Sequence, residues 1–107
     1  MDRIERILSF LKENPNDSFL EHALALEYIK LGEVNKAKHI FLNLLNRDPA
    51  YIGSYYHLAK LLESSGLPDE AINWYRRGMI EAKKQNDMKT YNELETALED
   101  LTDDFQG

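Results

Sequence analysis

Three histidines, His22, His39 and His57, are the residues of this chain best suited to metal binding or proton transfer, and their spacing supports neither. A zinc-binding helix of the HExxH kind needs two imidazoles four residues apart on one face, with a glutamate between them. Here successive histidines are 17 and 18 residues apart. No cysteine is present, which excludes thiolate metal sites, cysteine nucleophiles and disulfide scaffolds together. Ser9, Ser18 and Ser54 lack any nucleophile-elbow context, and Ser64-Ser65-Gly66 reads as a helix end. The five glycines are dispersed and form no phosphate cradle. Asp69-Glu70 and Asp103-Asp104 are neighbours in sequence, and the first pair suits the positive end of a helix dipole. No catalytic residue, metal site or cofactor is expected, and the chain is not expected to be an enzyme.

The charge balance narrows the partners. Nineteen acids against thirteen bases give a formal charge of −6. Up to Gln85 there are 12 of each, and from Asn86 onward 7 acids face Lys89 alone, so 1 − 7 = −6 falls entirely in the last segment. A net-acidic chain is a poor fit to the phosphate backbone, so no nucleic-acid partner is expected. Arg76, Arg77, Lys83 and Lys84 read better as bases toward a helix C-terminus. No run of 18 apolar residues occurs, and the opening DRIERILSFLKENP alternates charge with apolar side chains, unlike a signal peptide. The expectation is a cytoplasmic protein with no membrane contact.

Stepping from side chains to the elements that hold them, the chain repeats at 34 residues. That offset lays Leu24 on Leu58, Ala25 on Ala59, Gly32 on Gly66, Ala37 on Ala71 and Phe41 on Tyr75. Backwards it lays Ile7 on Phe41, Leu8 on Leu42, Leu11 on Leu45 and Pro15 on Pro49. The 107 residues therefore divide into a half unit over 1–17, full units over 18–51 and 52–85, a capping helix over 86–101 and a frayed acidic tail over 102–107. Each full unit reads as a helical hairpin. Asp17 or Ser18 caps a helix with Leu20, Ala23, Leu24, Tyr28 and Leu31 on one stripe, and Gly32 stops it. A second helix carries Ala37, Ile40, Phe41, Leu44 and Leu45 and closes at Asp48-Pro49. The second unit follows with Tyr55, Leu58, Ala59 and Leu62, then Gly66, then Ala71, Trp74, Tyr75 and Met79. Pro68 sits in the first turn of its helix, where its missing N–H costs nothing. The alanines let helices approach and the large aromatics fill the adjoining holes.

The run Leu24-Ala25, Gly32, Ala37, Phe41, Pro49, with its echo Tyr55, Leu58-Ala59, Gly66, Ala71, Tyr75, resembles the tetratricopeptide repeat. Residues 18–85 carry the resemblance, with Met1 to Asp17 as the second half of a preceding repeat. Two positions depart from the family pattern: Glu21 stands where an aromatic is usual, and the second unit ends at Lys83 without a proline. The resemblance implies an all-α, right-handed solenoid of helical hairpins, about two and a half repeats long. It also implies a concave peptide-binding groove lined by first helices, with Phe19, His22 and Leu26 from the first unit and Tyr56, Lys60 and Glu63 from the second. Ile29, Lys30 and Ser64 fall on the same faces. His22 and Leu26 occupy positions where one subfamily places Lys and Asn to grip a chaperone's terminal carboxylate, so such a ligand is disfavoured here.

The ends depart from the repeat. A leading helix over 2–13 carries Ile4, Ile7, Leu8, Phe10 and Leu11, and Phe10 is expected to be buried in the core. The final helix has a stripe of Met88, Tyr91, Leu94, Leu98 and Leu101, but the 34-residue shift puts Asn92 and Glu93 beneath Leu58 and Ala59. It reads as a cap with one apolar face and one solvated face. Helix 18–31 is apolar almost all round; Leu26 is expected to be exposed and Ile29 covered. The leading functional expectation is an adaptor that binds a peptide or helix of another protein in the groove. The alternative is structural self-association, a homodimer through the N-terminal end, which would supply the neighbour that a short solenoid lacks.

Overall fold

A computed structural model describes the backbone of residues 1–106 and the side chains of residues 1–103. Six α-helices and no strand occur among the described residues: α1 (Arg3–Glu13), α2 (Ser18–Lys30), α3 (Val34–Arg47), α4 (Gly53–Ser64), α5 (Pro68–Lys84) and α6 (Met88–Gln106). They form two compact units, Met1–Asp48 with α1 to α3 and Pro49–Gly107 with α4 to α6. Within each unit, helices adjacent in sequence pack on one another.

Local chemistry sets the helix limits. Aspartates open α1, α2 and α6: Asp2 accepts from the Glu5 N–H at 2.8 Å, Asp17 from Leu20 at 3.0 Å and Asp87 from Thr90 at 3.0 Å. The backbone and side-chain hydrogen bonds from Thr90 hold the Asp87 carboxyl below the usual carboxylate range. Pro68 begins α5. Three turns close in one way, with the N–H of Glu33, Leu67 and Asp87 each bonding the carbonyl five residues back at 2.9 Å. That geometry needs a left-handed residue just before the closing N–H, supplied by Gly32 at φ 75°, Gly66 at φ 76° and Asn86 at φ 57°.

In the first unit Ile7, Leu24, Ala25, Ala37, Phe41, Leu44 and Leu45 are buried. Arg47 ties the start of α2 to the end of α3: it donates to the Asn16 carbonyl at 2.8 Å and meets Glu21 at 2.6 Å. The unexpected Glu21 thus anchors an ion pair where an aromatic would have packed. Ser18 Oγ donates to Asp48 at 2.6 Å beside it.

The second unit is more deeply filled. Tyr55, Leu58, Ala59, Leu62, Ala71, Tyr75 and Leu94 are all essentially inaccessible to solvent. The Tyr55 hydroxyl donates to the Pro49 carbonyl at 2.7 Å. Gly78 allows this density: a Cβ there would lie 2.7 Å from Tyr55 Cβ on α4 and 2.9 Å from Leu94 Cδ1 on α6. The glycine inside a helix is therefore a close-approach residue, with both flanking helices pressed against the α5 backbone.

Several expectations are corrected. Phe10 is 56% exposed and does not enter the core, because α1 packs chiefly on α2 and Ile7 is its one buried residue. Leu31 and Met88 leave their apolar stripes for solvent, each lying at or next to a helix end. Leu26 and Ile29 are both half-buried, so neither is fully exposed or fully covered. The tail expected to fray over 102–107 continues α6 through Gln106; Gly107 lies outside the described residues. Leu101 is buried and Thr102 Oγ1 donates to the Leu98 carbonyl at 3.0 Å, which carries the helix past the expected end.

Candidate functional site

The expected binding residues fall into two sets, each on one helix at spacings of three or four. On α2, Phe19, His22 and Leu26 share a face. Phe19 is 67% exposed, while the half-buried His22 ring meets Phe41 edge-on at 5.8 Å. Phe19 joins Arg3, Arg6, Ile7 and Phe10 of α1 around a hollow of about 470 Å³. At the far side of α1, Glu27 bonds Lys30 at 2.9 Å and lies 3.4 Å from Arg3, and the Lys30 hydrogen bond chiefly holds its carboxyl below the usual range.

On α4, Tyr56, Lys60 and Glu63 share the corresponding face. Tyr56 is 37% exposed and held on three sides. Its ring meets His57 edge-on at 5.8 Å, meets Tyr75 at 6.4 Å and takes the Lys60 ammonium at 5.7 Å from its centroid. Lys60 also pairs with Glu63 at 3.5 Å, and Glu63 accepts a short hydrogen bond from the Tyr75 hydroxyl. Burial first, then the Glu63 carboxylate, keeps the Tyr75 phenol neutral far above the ordinary tyrosine range. Burial likewise lowers the His57 imidazole, favouring its neutral form. Tyr56 and Lys60 form one wall of a cleft of about 590 Å³ whose other wall is α6, through Asn92, Glu93, Thr96, Ala97 and Asp100.

A sequence model of the tetratricopeptide repeat matches residues 22–51 and 52–79, more than half of the chain. The chain belongs to the tetratricopeptide repeat family. Two solved structures of a tetratricopeptide repeat domain protein from Salinibacter ruber are similar to it. The solution structure has 37% identity, a TM-score of 0.78 and coverage of 81% of this chain and 88% of that one. The crystal structure has 36% identity, a TM-score of 0.77 and coverage of 80% and 96%. The solution structure of a Bordetella parapertussis protein is alike in fold, with 22% identity, a TM-score of 0.82 and coverage of 97% of this chain and 90% of that one. No curated protein matches the chain.

Tetratricopeptide repeats mediate protein–protein interaction and serve in general as non-enzymatic scaffolds. The turn glycines, paired alanines and helical hairpins of this chain are those of the family, and its fold is the all-α helical-hairpin solenoid of that family. Among the described residues no three of His, Cys, Asp and Glu lie close enough together to hold a metal ion, and no helix is long and apolar enough to cross a membrane.

Sequence reasoning missed the α6 wall. The 34-residue frame marked Asn92 and Glu93 only as a loss of small residues. In the structure α6 buries Leu94, Ala97 and Leu101, which turns Asn92, Glu93, Thr96 and Asp100 to the cleft. The readable signal was the helical spacing of those residues along one side of α6.

Proposed function

We propose that the chain is a protein-binding module that holds a segment of a partner protein in the α4/α6 cleft, with Tyr56 as its central anchor. The observation that carries this reading is the state of Tyr56: an exposed aromatic fixed by His57, Lys60 and Tyr75 beside an open cleft. A rigid, amphipathic ring of this kind offers contact area at small entropic cost, as anchors at interfaces do. Lys60 and Glu63 fix the ring's surroundings, and Phe19, His22 and Leu26 share a face of α2 that can also take part in binding.

Affinity capture from the native host's lysate tests the reading, with wild type compared against Tyr56→Glu. The expected result is loss of the captured protein while the variant still unfolds in one cooperative transition. Retained capture by the variant contradicts it. Leu26 is a poorer probe, since its half-burial mixes stability with binding.

A second reading, self-association through the N-terminal end, is favoured by one observation: Phe10 and Phe19 stand exposed around the same hollow. Light scattering at low micromolar concentration decides it. A dimer lost on Phe10→Glu supports self-association, and a monomer at all concentrations removes it.

A further inference from the structure

The charges around the α4/α6 cleft do not cancel. Lys60 is engaged by Glu63 and by the Tyr56 ring, so its charge is largely answered. The Glu93 and Asp100 carboxylates, on the opposite wall, make no hydrogen bond or ion pair among the described residues. Counting Lys60, Glu63, Glu93 and Asp100 gives 1 − 3 = −2, all of it residing on the α6 side. The nearly buried Ala97 lies between the two carboxylates and leaves an uncharged floor.

Resting on the docking reading above, we infer that the cleft selects an extended, cationic segment of a partner protein, with two basic side chains three residues apart. Glu93 and Asp100 are seven residues apart on one helix, which at 1.5 Å per residue is about 10 Å along its axis. Three residues of a polyproline II-like extended chain span about the same distance, at roughly 3.1 Å each, and its three-residue turn puts both basic side chains on one face. Both basic groups can then meet a carboxylate while the chain between them crosses Ala97. An aliphatic side chain between the bases faces the Tyr56 ring. An acidic segment meets two unpaired carboxylates and is rejected, which is how like charge at an interface gives specificity.

The test is an amide-resolved NMR titration of the full chain with three synthetic peptides. One carries two arginines three positions apart with a leucine between, and the others replace both arginines by glutamine or by glutamate. The arginine peptide should shift Tyr56, Thr96 and Ala97 and bind about tenfold more tightly than the glutamine peptide, with the glutamate peptide weakest. The double variant Glu93→Gln with Asp100→Asn should lose roughly five- to tenfold of that affinity, two exposed ion pairs' worth. Both sites are exposed, so its melting curve should match wild type and serve as the folding control. Raising salt from about 50 to 300 mM should weaken the arginine peptide alone.

Equal binding of all three peptides, an unaffected double variant, or no shift at the cleft would overturn the inference. If Tyr56→Glu still abolishes capture in any of those cases, the docking reading stands and only the cationic preference falls. If capture is untouched by Tyr56→Glu, the docking reading itself fails. A concentration-dependent dimer abolished by the double variant assigns the cleft to a second copy and overturns the inference as well.

Discussion

The two end helices solve the same problem differently. Helix α1 lies against α2 through Ile7 and leaves Leu8 and Phe10 to solvent, beside an exposed Phe19. Helix α6 buries Leu94, Ala97 and Leu101, and it reaches α5 where Gly78 has no side chain to hold it off. A helix applied along one narrow stripe leaves a loose aromatic hollow behind it. A helix drawn in by a glycine has its rotation fixed, and with it the side chains on its free face. The α4/α6 cleft is shaped because α6 is locked; the α1/α2 hollow is merely uncovered. Pre-organisation of that kind is what cuts the entropic cost of binding.

That contrast can be broken most strongly at the lock. Leu94→Ala should cost about 2–5 kcal/mol, as for a fully buried leucine, and Ile7→Ala should fall at or below the low end of that range. Urea denaturation of the two variants checks it, and equal losses would mean that α1 is as firmly set as α6. Gly78→Ala should cost about 0–2 kcal/mol net, an overpacking penalty of about 1–3 less the gain of about 1 in helix propensity. A stabilised Gly78→Ala would show that the close approach of Tyr55 and Leu94 relaxes without penalty.

A smaller effect probes the cleft base through pH. The Tyr75 phenol is raised in the folded chain above its ordinary value of 10.0, so folding favours the protonated form. Its contribution is fully present below pH 10 and is lost as pH rises above that, toward the folded value. Tyr75→Phe should therefore soften the alkaline fall in stability measured by melting at increasing pH. An unchanged alkaline profile would place the phenol in contact with water. Smallest of all, Phe10→Ser should change stability by less than about 0.5 kcal/mol, since its ring is mostly exposed. A loss of 2 kcal/mol or more, about that of a buried apolar side chain, would mean that the hollow is core after all.

The hairpins were legible because their signals are local and obligatory. Gly32 and Gly66 occupy backbone angles that other residues resist, Pro68 fits only a first turn, and Ala25, Ala37, Ala59 and Ala71 sit where there is no room for more. Asn86 does the work of a turn glycine, and its identity alone did not announce it. Phe10 was misplaced because amphipathicity gives a helix a preferred side but not the width of the surface it meets. The cleft was half legible: Tyr56 and Lys60, which line it, follow from repeat position, while the α6 wall depends on a rotation set by Gly78 and Leu94. No residue of α6 read alone encodes that rotation.

The most direct test of the central claim compares the shaped cleft with the loose hollow in one experiment. A photoreactive benzoylphenylalanine is placed at Tyr56 in one sample and at Phe19 in another, each irradiated in the host's lysate. The prediction is a discrete protein adduct from position 56, competed by unlabelled wild type, and none of that mass from position 19. An adduct from position 19 alone would contradict the assignment of the cleft and move the binding surface to the α1/α2 hollow.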